Sequence, residues 1–80
     1  MATSRNEIVE WLAVGKARGA HHVVVACDTY DWDDYPVYVM PGETAREKAD
    51  KLGDMQKVME VYDLSLDLTS QLDEYRSFHW

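Results

Sequence analysis

Four carboxylates and three aromatic rings alternate in one short stretch. Asp28, Asp31, Asp33 and Asp34 are interleaved with Tyr30, Trp32 and Tyr35. Clustered carboxylates can ligate a hard cation such as calcium or magnesium. The spacing is not that of an EF-hand, because the stretch has no mid-loop glycine and no glutamate closing a twelve-residue loop. No metal ligand is therefore assigned here. Two other readings compete. The stretch Asp28–Tyr35 can be a solvated connection between two strands. It can also be a recognition surface, since Trp and Tyr offer large contact area at low entropy cost and are enriched at binding hot spots. A partner for such a surface would carry basic groups.

A second cluster closes the chain. Tyr75, Arg76, Phe78, His79 and Trp80 place aromatic rings beside an arginine and a histidine. Chain ends are usually frayed and polar, so a terminus of this composition is expected to dock on its own core or on a second subunit. As a site it would suit an anionic, aromatic ligand, with Trp80 and Tyr75 stacking and Arg76 and His79 holding phosphate. Trp32 is a further candidate for stacking. Elsewhere the signals are weaker. His21 and His22 are neighbours at a strand start, where adjacent side chains point to opposite faces and cannot readily share a metal. Cys27 lies in a valine-rich run and reads as small core filler rather than a nucleophile. Pro41-Gly42-Glu43-Thr44 opens a helix, as many anion sites do, but so does every helix N-terminus. No Ser-His-Asp arrangement, Walker loop or glycine-rich phosphate loop is present, and no cofactor is expected.

The elements that must position these groups follow from periodicity. Ile8, Trp11, Leu12 and Gly15 recur at helical spacing, with Val14 flanking the stripe, and Ser4 and Glu7 have capping-box spacing, so a helix is expected over residues 5–18. His21–Thr29 contains an unbroken apolar run, which predicts a strand buried on both faces and central in its sheet. A second strand is expected over Tyr35–Met40, with Pro36 near its start where no ladder donor is needed. Glu43–Leu52 reads as a short amphipathic helix on Ala45, Ala49 and Leu52. Met55–Leu64 is a third strand, with Met59 and Val61 on one face and Val58, Tyr62 and Leu64 on the other, Glu60 interrupting. Ser65–Phe78 reads as a last helix presenting Leu68, Leu72 and Tyr75. The expected fold is a single α+β domain over residues 1–80, in the order αββαβα. Its three-stranded mixed sheet has strand order 2-1-3 and is covered by helices, at least two of them on one face, with strand three parallel to strand two.

Composition limits the function further. The chain has 80 residues, enough for one domain, and 46% are hydrophobic, enough for a folded core. Chains of this size bury only about 60–65% of their unfolded surface, so homo-oligomerisation is an expected supplement. Cys27 is the single cysteine, which excludes an internal disulfide. The N-terminal stretch lacks an apolar signal-peptide core, and no run reaches the roughly 20 apolar residues of a membrane span. A cytoplasmic protein is expected. With 15 acidic against 8 basic residues the formal charge is −7, which argues against direct nucleic-acid binding and fits either simple solubility or a basic partner.

The stretches HVVVACDTYDWDDYPVYVMPGE and MQKVMEVYDLSLDLTSQLDEYRSF resemble a family of short proteins found in bacteriophages and their bacterial hosts. The most specific parts are Cys27–Tyr30, Asp34–Tyr38, Met59–Tyr62 and Gln71–Arg76. The resemblance implies a setting, the host bacterial cytoplasm, and no residue roles. Short phage proteins without enzymatic motifs often act by binding, to blunt host defence. The expectation is a non-enzymatic binding protein antagonising antiviral defence, by sequestering a small nucleotide-derived signal between subunits. The alternative is an acidic interaction module that imitates nucleic acid and occupies a basic host protein through Asp28, Tyr30, Asp31, Trp32, Asp33, Asp34 and Tyr35.

Overall fold

A computed structural model describes residues 5–53, 55–74 and 77–80. The elements follow the expected order: α1 (Arg5–Arg18), β1 (His22–Asp28), β2 (Asp33–Val39), α2 (Ala45–Asp50), β3 (Gln56–Asp63) and α3 (Leu68–Asp73). Ser4, the expected cap of α1, lies outside the described residues. The helix buries Ile8, Leu12 and Gly15. It ends where the spacing places it, at Gly19, whose φ of +85° is open to glycine at no steric cost. There the N–H of Gly19 donates to Lys16 O at 3.1 Å and that of Ala20 to Gly15 O at 2.9 Å, the paired bonds of a Schellman motif.

β1 is the central strand, with β2 on one side and β3 on the other. Val23–Cys27 are all buried, as their continuous apolar run predicts. β2 and β3 run in the same direction, as expected for a crossover through α2. Because β1 lies between them, both pairings are antiparallel. The three-stranded sheet is thus antiparallel rather than mixed. The one parallel pairing among the described residues is a bridge from Val61 to Phe78, where the C-terminal stretch runs along the outer edge of β3. Val61 N–H donates to Ser77 O at 2.7 Å and His79 N–H to Val61 O at 3.0 Å.

A register shift between Val25 and Ala26 corrects the expected faces of β3. Val25 opposes Glu60 while Ala26 opposes Val58, so Met59 is an extra residue without a partner on β1. A bulge of this kind breaks the two-residue alternation. Val58 therefore joins Val61 beside Val24, Val37, Val39 and Ala45 of α2. Met59 joins Tyr62 and Leu64 on the opposite face, with Ile8 and Leu12 of α1 and Leu68 and Leu72 of α3. The result is α1 and α3 on one face and α2 on the other.

α3 is far shorter than the expected helix over Ser65–Phe78. Asp67 caps it, accepting from Thr69 N–H at 3.1 Å, and at Glu74 the backbone turns extended, with ψ of 148°. The chain then leaves to reach the β3 edge. Bonds to a sheet edge satisfy the backbone as well as a longer helix would, and they also bury Ser77.

Candidate functional site

β1 and β2 pair through to Asp28 and Asp33, which stand opposite each other. The expected loop over Asp28–Tyr35 thus contracts to Thr29, Tyr30, Asp31 and Trp32. Asp34 and Tyr35 belong to the ladder, opposite Cys27 and Ala26. Asp28 organises the turn: its carboxylate accepts from Tyr30 N–H at 2.9 Å and its carbonyl from Trp32 N–H at 2.6 Å. Trp32 closes the turn with φ of +59°, the one positive φ outside glycine among the described residues. For a bulky residue this costs about 1–2 kcal/mol. Thr29 ties the tip to the entrance of β3, its N–H and its hydroxyl each donating to Met55 O at 2.6 Å.

The tip presents exposed apolar side chains on an acidic turn. Tyr30 is 77% exposed, Trp32 54% and Met55 52%. Asp31 and Asp33 are exposed on either side of Trp32 in the chain, Asp28 and Asp34 are partly buried in adjacent rows of the ladder, and the Lys57 Nζ lies 5.6 Å from the Trp32 ring centroid. Cys27 sits between Asp34 and Lys57 in the ladder. Burial raises the pKa of its thiol, and Asp34 raises it further, so both favour the protonated thiol. Burial likewise raises the Tyr35 hydroxyl, with Asp28 adding to the effect. Asp28 and Asp33 stand as like charges in opposite ladder positions, an unfavourable pairing, and the Asp28 carboxylate is taken up by the Tyr30 N–H. Among the described residues no three His, Cys, Asp or Glu side chains converge as a metal-ligand set.

The C-terminal candidates are engaged within the chain. His79 Nε2 lies 2.9 Å from Glu74 Oε1, and the Arg46 guanidinium lies over the Trp80 ring at 4.8 Å. Tyr75 and Arg76 lie outside the described residues. The main chain of His79 and Trp80 lies beside the His22 imidazole, at the start of β1. Trp32 follows the end of β1, about 20 Å away by the rise of seven strand residues. One chain therefore does not bring Trp32 together with Trp80 and His79.

Two further polar groupings were hidden in the sequence. His21 precedes β1 rather than lying in it, so its ring is not held to the opposite face. The two imidazoles meet edge to face, with their Nδ1 atoms 2.5 Å apart. His21 Nε2 lies 2.9 Å from Glu43 O, while His22 Nε2 is buried, unbonded and 3.7 Å from Asp63 Oδ2. The second grouping joins α1, β3 and α3. Tyr62 donates to Glu60 Oε2 at 2.5 Å, Arg5 donates to Tyr62 at 3.3 Å and to Glu74 O at 2.8 Å, and the Ser77 hydroxyl donates to Gln71 O. Glu60 interrupting an apolar strand was the one sequence signal of this network, which fastens elements rather than facing a ligand.

Comparison with protein-family models, with curated proteins and with solved structures finds no significant match to this chain.

Proposed function

We propose that this protein is a non-enzymatic binding module that engages a protein with a basic surface through the tip formed by Asp28–Asp34 and Met55. The observation that carries this reading is the joint exposure of Tyr30, Trp32 and Met55 at an acidic turn. They sit on a turn tied to β3 through Thr29, so little ordering would accompany contact. In the phage setting that the sequence resemblance implies, the partner is a host defence effector whose basic groove normally receives nucleic acid. Capture of a nucleotide-derived signal has less support, since Trp80 and His79 already have partners and Trp32 stands at the far end of β1.

The test is capture from bacterial lysate by the parent chain and by the charge-reversed variant Asp31→Lys/Asp33→Lys. The expected partner is retained by the parent, lost by the variant and released steeply as salt rises, because charge attraction between exposed groups is screened within about 10 Å at 0.1 M salt. Equal retention by the variant would overturn the proposal.

A further inference from the structure

The Trp32 ring at the hairpin tip already carries a cation, supplied by the chain itself. Lys57 Nζ is 5.6 Å from the ring centroid, near the outer limit of about 6 Å for a favourable contact of this kind. Lys57 is exposed on β3, and its ladder neighbours place it in one row with Cys27 and Asp34. The contact thus lies on the face of the sheet that carries Asp34. We infer that Lys57 is a placeholder, and that the partner displaces it with an arginine guanidinium. This inference rests on the tip being the binding surface.

The chemistry separates arginine from lysine at this position. A guanidinium is planar, so it can stack on the Trp32 indole while its edge donates two parallel bonds to an aspartate. An ammonium is a strongly hydrated point charge on a flexible stem and cannot do both in one geometry. Asp31 and Asp33 flank Trp32 in sequence, and Asp34 shares the ladder row of Lys57. The exposed rings and thioether of Tyr30 and Met55 supply an apolar shoulder for the arginine's methylene stem. The occupant is accordingly an arginine-bearing polypeptide segment.

The inference is tested on the intact chain by titration with oligo-arginine and oligo-lysine peptides of equal length, following the Trp32 indole N–H by NMR. Oligo-arginine should bind more tightly. Lys57→Ala should tighten oligo-arginine binding about two- to fivefold, the value of one exposed cation–aromatic contact. Lys57→Arg, unchanged in charge but a better competitor for the ring, should weaken it. Lys16→Ala, equal in charge change but on α1 near the other end of β1, measures the general charge effect and should fall below Lys57→Ala. If Lys57→Ala exceeds Lys16→Ala in neither direction nor size, or if Lys57→Arg does not weaken binding, the placeholder is refuted while the tip remains a binding surface. If Trp32→Ala binds oligo-arginine as the parent does, the reading of the tip itself fails.

Discussion

Gln71→Glu is the substitution that tests the packing of this fold most sharply. Gln71 is buried, and its side chain completes the end of β3 as another strand would. Its Oε1 accepts from Asp63 N–H at 2.8 Å, and its Nε2 donates to Asp63 O at 2.8 Å and to Asp67 O at 3.2 Å. A glutamate is almost the same shape and keeps the accepting oxygen. Its second oxygen, however, faces two carbonyl oxygens where an NH2 stood. If ionised, it is a buried charge with no cation, which costs about 3–5 kcal/mol. If protonated, its single O–H replaces one of two donations. A domain of 80 residues has about 4–12 kcal/mol of stability in all, so the variant should lose at least about a quarter of it at neutral pH. The sign of its pH dependence follows. The introduced carboxyl has a folded pKa raised above its unfolded value of about 4.3, so the deficit is smallest below that value and grows as pH rises through the folded pKa. Urea denaturation of parent and variant at neutral pH and at about pH 5 reads both quantities. A variant within about 0.5 kcal/mol of the parent at neutral pH, or a deficit that does not shrink on acidification, refutes the role given to Gln71.

Other outcomes follow from single contacts. Gly15→Ala would bring a Cβ to 2.9 Å from Val23 Cγ2 and 3.1 Å from Leu64 Cδ1. The helix-propensity gain of about 1 kcal/mol is then outweighed by overpacking of about 1–3 kcal/mol, and the melting temperature should fall. Pairing it with Val23→Ala should restore part of that loss relative to Val23→Ala alone, as a double-mutant cycle would show. Trp32→Gly relieves the positive φ, worth about 1–2 kcal/mol, and loses a contact worth about 0.5–1 kcal/mol. With the added chain entropy of glycine, about 0.5–1 kcal/mol, its stability in urea titration should stay within about 1 kcal/mol of the parent while partner binding is lost, which separates the role of the ring from the integrity of the hairpin. Burial holds the His22 imidazole below its ordinary pKa of 6.5, against the pull of Asp63. Its contribution is therefore present above that value and lost as pH falls through the lower folded pKa. His22→Gln should flatten the stability profile in that window, measured as melting temperature against pH.

The hairpin shows how far residue pattern could locate the site. Acids and aromatics marked Asp28–Tyr35 as distinctive, because composition is visible without coordinates. The pattern did not show that the turn closes in four residues, since that depends on Asp28 accepting from the backbone of Tyr30 and Trp32 and on a tryptophan in a conformation usually left to glycine. Nor could it show Met55 joining the surface, which is far along the chain. The contact between the two histidine rings was hidden for a related reason: alternation governs residues inside a strand, and His21 lies just outside β1.

Local pattern by itself determined the element order, the central place of the Val23–Cys27 strand, the strand order and the end of α1. Each depends on spacing or on one residue's conformational range, and both are properties of the chain read over a few neighbours. Tertiary structure decided the antiparallel pairing of the whole sheet, the exchange of faces at Met59, the early end of α3 and the C-terminal bridge to Val61. Those outcomes turn on competition between partners distant in sequence. A backbone group from residue 77 or 79 can be satisfied equally by a helix or by a strand edge, and only the assembled edge of β3 settles which it takes.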